Sequence, residues 1–296
     1  MTRLQVPAIV KSSEEVLIEA FQRLGCARLG GASVNGWSRV SDYLRCHYRY
    51  YLKHIRGVRA SMVAATSRPQ DIGSFIHAIL AVHYAAMLPD DRYPGFRANC
   101  PTPDQLIETL NACGAEPEAL AEAGRLWDGY LDHWGEDGWQ PMAVEMAVGD
   151  PDLHTSRYDL VVDITDGIHD GFWIGEHKSA SPQTDLELFR FDGEILGECM
   201  SWRISKLDEM FGPLSGVCVN VLVKGGRKPQ RLWIPVNWSI IEDFIRSRMY
   251  WQAEINMMTK HNRWPKSHYG CVARYDRCCF WDHCSTLSDS FLMSAG

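Results

Sequence analysis

The chain has 296 residues, of which 46% are apolar and 23% charged, with a formal net charge of −7. This composition belongs to a globular protein with a real core and excludes a collagen-like or wholly disordered chain. The acidic balance argues against broad, nonspecific nucleic-acid binding but is compatible with a local basic groove, and no apolar run approaches the roughly 18 residues that a membrane span needs.

The N-terminal stretch MTRLQVPAIVKSSEE lacks the apolar core and cleavage site of a signal peptide, so a cytoplasmic location is expected. Ser12–Leu24 is patterned as an amphipathic helix with Ser12 or Ser13 as its cap. Gly25–Gly36 reads as a loop, and Ser38–Ile55 as one helix rich in tyrosine and basic residues. Asp71 to about Met87 is the next helix, with Phe75, Ile76, Ile79 and Leu80 on its apolar stripe. His77 lies beside that stripe, where a lone histidine is more often a satisfied core residue than a ligand. Leu88–Pro103 is Pro- and Asp-rich and reads as a loop, followed by helices near Asp104–Ala112 and Glu116–Trp134.

The period then changes. Met142–Val148, with Glu145 inside it, is a strand candidate, and Tyr158–Ile164 and Gly171–Gly175 read as two strands joined by an Asp-Gly turn. Phe189–Phe211 reads as a helix, Gly216–Val223 and Arg231–Val236 as strands, and Ser239 to about His261 as a long helix. The expected organisation is a helical part over 1–140, a core over 141–240, and a C-terminal helix with a cysteine-rich segment over 241–296. The expected class is α/β, a sheet flanked by helices.

The hairpin carries the chemistry. Asp159 falls near the start of its first strand, and Glu176 and Lys178 at the end of its second. Residues two apart in a strand share a face, so the hairpin gathers two carboxylates and one ammonium. Two hard oxygen donors suit Mg²⁺ or Mn²⁺, and a neighbouring lysine can act on a water or offset developing charge. The plainer account is a surface hairpin with an ordinary ion pair.

Basic candidates for nucleic-acid contact are Arg45, Arg49, Lys53, Arg56 and Arg59, then Lys224, Arg227, Lys228 and Arg231, then Arg246 and Arg248. Each patch taken singly also reads as a solvated face. Near the C-terminus, Cys271, Cys278, Cys279 and Cys284 crowd one loop-like segment. Their spacing lacks the two close pairs of a structural zinc site, and a cluster with one remote fourth ligand fits better.

The set Asp159…Glu176-His177-Lys178 resembles the PD-(D/E)xK nuclease superfamily, with Tyr158 where a proline is usual. The resemblance implies a restriction-endonuclease-like core, with Asp159 and Glu176 binding metal and Lys178 assisting the nucleophile. Leu44-Arg45-Cys46-His47-Tyr48-Arg49-Tyr50-Tyr51-Leu52 and the late cysteines are similar to RecB-type nuclease domains that carry an iron–sulphur cluster, among them CRISPR-associated iron–sulphur exonucleases. That likeness implies a 4Fe–4S cluster on Cys46, Cys271, Cys278 and Cys284, with a C-terminal cluster-binding tail and Cys279 left free. The alternative in which Cys279 replaces Cys278 stays open. Gly73-Ser74-Phe75-Ile76-His77 resembles the Gly-x-x-x-His helix of the same proteins, which implies His77 as a metal ligand, with the His177 backbone carbonyl as another and Glu145 in a supporting role.

One element departs from the pattern. Glu194-Ile195-Leu196-Gly197-Glu198 stands where the family has Gln-x-x-x-Tyr for DNA contact. The resemblance implies a metal-dependent DNA nuclease, expected to be an exonuclease on ends or single strands in recombination, repair, or phage or CRISPR DNA processing. A helicase, a recombinase or a CRISPR adaptation protein would be its partner. The competing expectation is a noncatalytic DNA-binding or assembly module that keeps the fold.

Overall fold

A five-stranded sheet with helices on both faces organises the computed structural model, which describes residues 11–28, 33–60, 68–89, 100–135, 138–267, 269–271 and 277–294. Its elements in chain order are α1 Ser13–Arg23, α2 Trp37–Arg45, α3 His47–Tyr50, β1 Val58–Ala60, α4 Arg68–Ala85, α5 Pro103–Ala112, α6 Pro117–Trp134, β2 Gln140–Asp150, β3 His154–Ile164 and β4 Gly171–Ala180. They continue with α7 Gly193–Ile204, β5 Leu214–Val223, β6 Gln230–Pro235, α8 Trp238–His261, α9 Trp281–Thr286 and β7 Leu292–Ser294.

The large sheet has the order β2-β3-β4-β5-β6, antiparallel throughout except for the parallel pair β4–β5. A parallel pair needs a crossover, and α7 supplies it. β5 has the longest buried run of the sheet strands, Gly216–Val223, because it is covered on both faces. One face packs α1, α4, α5 and α6 in a core with Leu160, Val162, Trp173 and Leu222. The other packs α7 and α8 around Tyr158, Val161, Ile174 and Val219. The N-terminal helices therefore share a core with the sheet. The expected mixed sheet flanked by helices, with a helical N-terminal part, is the architecture observed.

Local signals set most of the boundaries. Ser12 and Glu15 form a reciprocal capping box on α1, and Thr102 and Gln105 do the same on α5. Asn237 caps α8, which ends at Asn262 in the left-handed conformation. Two expected helices are corrected. Ser38–Ile55 is broken at Cys46, whose backbone is extended (φ −166°, ψ 118°) and both ends α2 and caps α3; a π-helical turn, Tyr51–Ile55, follows. Phe189–Phe211 is three pieces, because Asp192 caps a fresh helix start at Gly193 and Lys206, at φ 53°, stops it. The strands of the hairpin run longer than expected, so Asp159, Glu176 and Lys178 lie inside strands rather than at their ends.

Candidate active site and a cysteine-lined cavity

Asp159 sits at a gap in the sheet. The β2–β3 register runs Val144↔Leu160 and Met146↔Tyr158 and skips Glu145 and Asp159, which face each other between them. The skip has a backbone cause: Glu145 is left-handed at φ 50°, a conformation costly for a residue with a Cβ. Its displaced carbonyl accepts from Arg157 Nη1 at 2.9 Å. On the other side the β3–β4 register begins at Leu160↔Gly175. There the Asp159 carboxylate takes the place of a ladder acceptor, with Oδ2 receiving the His177 N–H at 2.8 Å.

This gap opens into a cleft of about 530 Å³ lined by His77, Glu145, Asp159, Glu176, Lys178, Glu194 and Glu198, among others. His77, from α4, has Nδ1 3.3 Å from Asp159 Oδ1. Glu176 and Lys178 share a face as their spacing requires, with Lys178 Nζ 2.6 Å from Glu176 Oε1. The same ammonium is 2.6 Å from Glu194 Oε2 on α7. His177 points the other way. Its buried ring meets Asn220 at 3.3 Å, and Asn220 Oδ1 accepts from Arg231 Nε at 2.7 Å.

Charge crowding tunes the cleft. Burial and then the Asp159 charge raise Glu145 to about 8 and Glu176 to about 7. Burial works against charge on His77, yet Asp159 and Glu176 raise it to about 9. Burial opposes ionisation of Asp159 too, but His77 and the His177 N–H hold it below the usual carboxylate range. Burial and the Glu176 carboxylate push Glu198 well above its usual range, and its Oε2 is buried without a hydrogen-bond partner among the described residues. Lys178 stays an ammonium because Glu176 and Glu194 outweigh its burial. Among the described residues no three His, Cys, Asp or Glu side chains converge tightly enough to hold an ion as they stand. The cleft donors are instead hydrogen-bonded to one another.

Sequence reasoning saw Glu194 and Glu198 only as a departure from a pattern. The structure turns both into the cleft, where Glu194 holds Lys178. Their signal was the four-residue spacing on one helix face just after the lysine. The basic candidates lie elsewhere. Arg45 Nε donates to the Gly270 carbonyl at 3.0 Å, and Arg49 pairs with Asp42 at 2.5 Å. Arg231 is sandwiched between Trp134 and Trp139, 4.0 and 3.7 Å from their ring centres, and Arg248 is fully buried. Lys224 and Arg227 sit at the β5–β6 turn and do not line the cleft.

Cys46, Cys271, Cys278 and Cys284 line one cavity of about 160 Å³, walled also by Leu52, Phe280 and Trp281. Cys279 is exposed and outside it. The Ser267 N–H lies 3.4 Å from Cys46 Sγ, and Arg49 Nη1 lies 3.8 Å from Cys278 Sγ. The expected first cysteine and three late ones are thus brought together across more than two hundred residues.

The model of the PD-(D/E)XK nuclease superfamily matches residues 37–190, just over half of the chain. No curated protein sequence matches it. The matched stretch contains His77, Glu145, Asp159, Glu176 and Lys178, the same residues that the broken ladder gathers in one cleft. The chain belongs to the PD-(D/E)XK nuclease superfamily.

Proposed function

We propose that the protein is a Mg²⁺- or Mn²⁺-dependent deoxyribonuclease that acts on DNA ends or single strands, with a 4Fe–4S cluster tying its C-terminal segment to the N-terminal helices. The observation that carries the nuclease reading is the meeting of Asp159, Glu176, Lys178 and His77 at the place where the β2–β3 ladder skips a rung and the β3–β4 ladder ends.

The donor set fits a hard divalent cation. It offers carboxylate oxygens and one imidazole, and burial followed by the Asp159 charge raises the proton affinity of Glu145 and Glu176. Asp159, Glu176 and His77 would hold the ion with the His177 carbonyl, and Glu145 would support them. When bound, the ion supplies Lewis-acid polarisation of the phosphodiester and a water of lowered pKa. The residues do the rest. Asp159 keeps the His177 peptide in place, Lys178 offers N–H donors to the attacking water or the phosphate, and the β4 strand fixes Lys178 two residues from Glu176.

The four thiols fit the cluster. They surround a cavity with apolar walls instead of meeting at a point, as ligands of a many-atom group must. Its part is that of a staple. The biological setting follows the family likeness: recombination, repair, or phage or CRISPR DNA processing, with a helicase, a recombinase or an adaptation protein as partner.

A second reading, a noncatalytic DNA-binding or assembly module, is favoured by one observation. Lys178 is held between Glu176 and Glu194, and the latter stands where glutamine is usual. Incubating anaerobically purified protein with end-labelled single- and double-stranded DNA, with and without Mg²⁺ or Mn²⁺, separates the two. Metal-dependent cleavage that disappears in Asp159→Ala supports the nuclease; binding without cleavage supports the module.

A further inference from the structure

A strand entering this cleft brings a row of phosphates past Glu145, Asp159, Glu176, Glu194 and Glu198. Something must offset that repulsion. Among the described residues, Arg28, Arg157 and Lys178 are the only arginines or lysines that line the cleft. Lys178 is paired with Glu176 and Glu194, and its part in the reaction is at the attacked phosphate alone. The two arginines are differently placed. Arg157 uses Nη1 on the Glu145 carbonyl, and its Nε is buried with no acceptor among the described residues. Arg28 also has a buried Nε without an acceptor among the described residues, while its terminal nitrogens grip Glu14, with Nη2 2.6 Å from Oε2. This is the two-pronged grip that a guanidinium gives a carboxylate or a phosphate alike. Ser33 and Ser38 also line the cleft and add hydroxyl donors. Glu14 is 60% exposed on the first turn of α1, so it can swing away at little cost.

We propose that Arg28 and Arg157 are the phosphate-binding residues of the cleft, and that the Glu14 carboxylate occupies the Arg28 position until a phosphate of the substrate strand displaces it. The inference rests on the nuclease reading and gives it a substrate contact within the cleft itself. It also assigns opposite effects to the two halves of one ion pair. Removing Arg28 removes a phosphate contact; neutralising Glu14 removes a competitor for it.

The test is binding of an end-labelled single-stranded oligonucleotide without divalent cation, so that cleavage does not enter, measured over a range of salt. The proteins are the parent, Arg28→Ala, Arg28→Lys, Arg157→Ala and Glu14→Gln, each checked for its melting temperature. Arg28→Ala and Arg157→Ala should each weaken binding and flatten the plot of log affinity against log salt by about 0.7, one phosphate contact on a single strand. Arg28→Lys should keep the slope while losing affinity, because a lysine keeps the charge without the fork. Glu14→Gln should tighten binding at low salt, by up to about fivefold, the worth of one exposed ion pair. If Glu14→Gln and Arg28→Ala weaken binding alike with the parental slope, the pair serves only the fold and the inference is overturned. A parent protein that binds no strand at any salt overturns the nuclease reading and this inference together, whereas a binding parent with unchanged slopes in the arginine variants overturns this inference alone.

Discussion

At Asp159 one carboxylate serves two neighbours, His77 through Oδ1 and the His177 N–H through Oδ2. Asp159→Asn keeps an acceptor for the peptide but removes the charge, so the fold should hold while cleavage falls by at least about 10²–10³-fold. Melting curves beside rate measurements decide this, and an active Asn variant would sink the assignment. Lys178→Ala should lower the cleavage rate strongly and leave DNA affinity nearly unchanged, because its contact with the substrate strengthens only as charge develops. An equal loss of affinity would make it a plain phosphate contact. The pH dependence follows from the neighbouring carboxyls. Glu145 and Glu176 have folded values of about 8 and about 7 against 4.5 for the free side chain. Groups raised in this way contribute stability that is complete below pH 4.5 and lost as pH rises to about 7 and then 8. A divalent cation bound between them should restore what the rise removed. The melting temperature should therefore gain more from Mn²⁺ at pH 8 than at pH 6, and an equal gain at both would separate the ion from these carboxyls.

The strand that carries Glu145 shows what was legible in the sequence and what was not. Alternation and the Asp-Gly turn identify the hairpin, and the two-residue spacing of Glu176 and Lys178 puts them on one face, because strand periodicity is a property of any extended chain. A single inverted residue leaves no such mark. Met142–Val148 reads as a plain strand, and nothing in it announces that Glu145 is left-handed. The Cys46 break was hidden for a similar reason: Tyr43, Tyr50 and Leu52 are all buried, so the apolar signal runs straight through it. The inward turn of Glu194 and Glu198 depends on how α7 docks on the sheet, a tertiary fact. The Glu145 geometry makes its own prediction. Glu145→Gly removes the Cβ penalty at φ 50° and one of the crowded carboxyls. It should raise stability by about 1 kcal/mol or more and lower cleavage, which a paired denaturation and rate measurement will read. A variant both less stable and fully active would mean that the left-handed turn is neither strained nor part of the site.

Over the whole molecule, the segment from Arg45 to Ala60 and the C-terminal segment are joined at the cysteine cavity. β1 pairs with β7 antiparallel, the Tyr48 N–H donates to the Pro265 carbonyl, and the Tyr48 hydroxyl meets His283 Nε2 at 3.1 Å. Gly270 lies so close to the Arg45 carbonyl that a Cβ there would collide with it. Among the described residues, the α9 region packs on a small apolar core of Leu52, Cys278 and Phe280. A cluster on Cys46, Cys271, Cys278 and Cys284 would close a loop of more than two hundred residues, where a cross-link restricts the unfolded chain most. Cys46→Ala should therefore yield colourless protein destabilised by about 2–5 kcal/mol, the range for losing a native cross-link. Cys279→Ala should keep its iron, since that thiol lies outside the cavity. Arg49→Ala should lose iron more readily while its salt-dependent DNA affinity stays near the parent's, because Arg49 faces Asp42 and Cys278. Iron analysis, visible absorption and melting of the anaerobically purified variants read all three. If Cys279→Ala loses its iron and Cys278→Ala keeps it, the third ligand is the exposed thiol. If every variant and the parent hold zinc, the iron–sulphur assignment fails while the chemistry at Asp159 stands untouched.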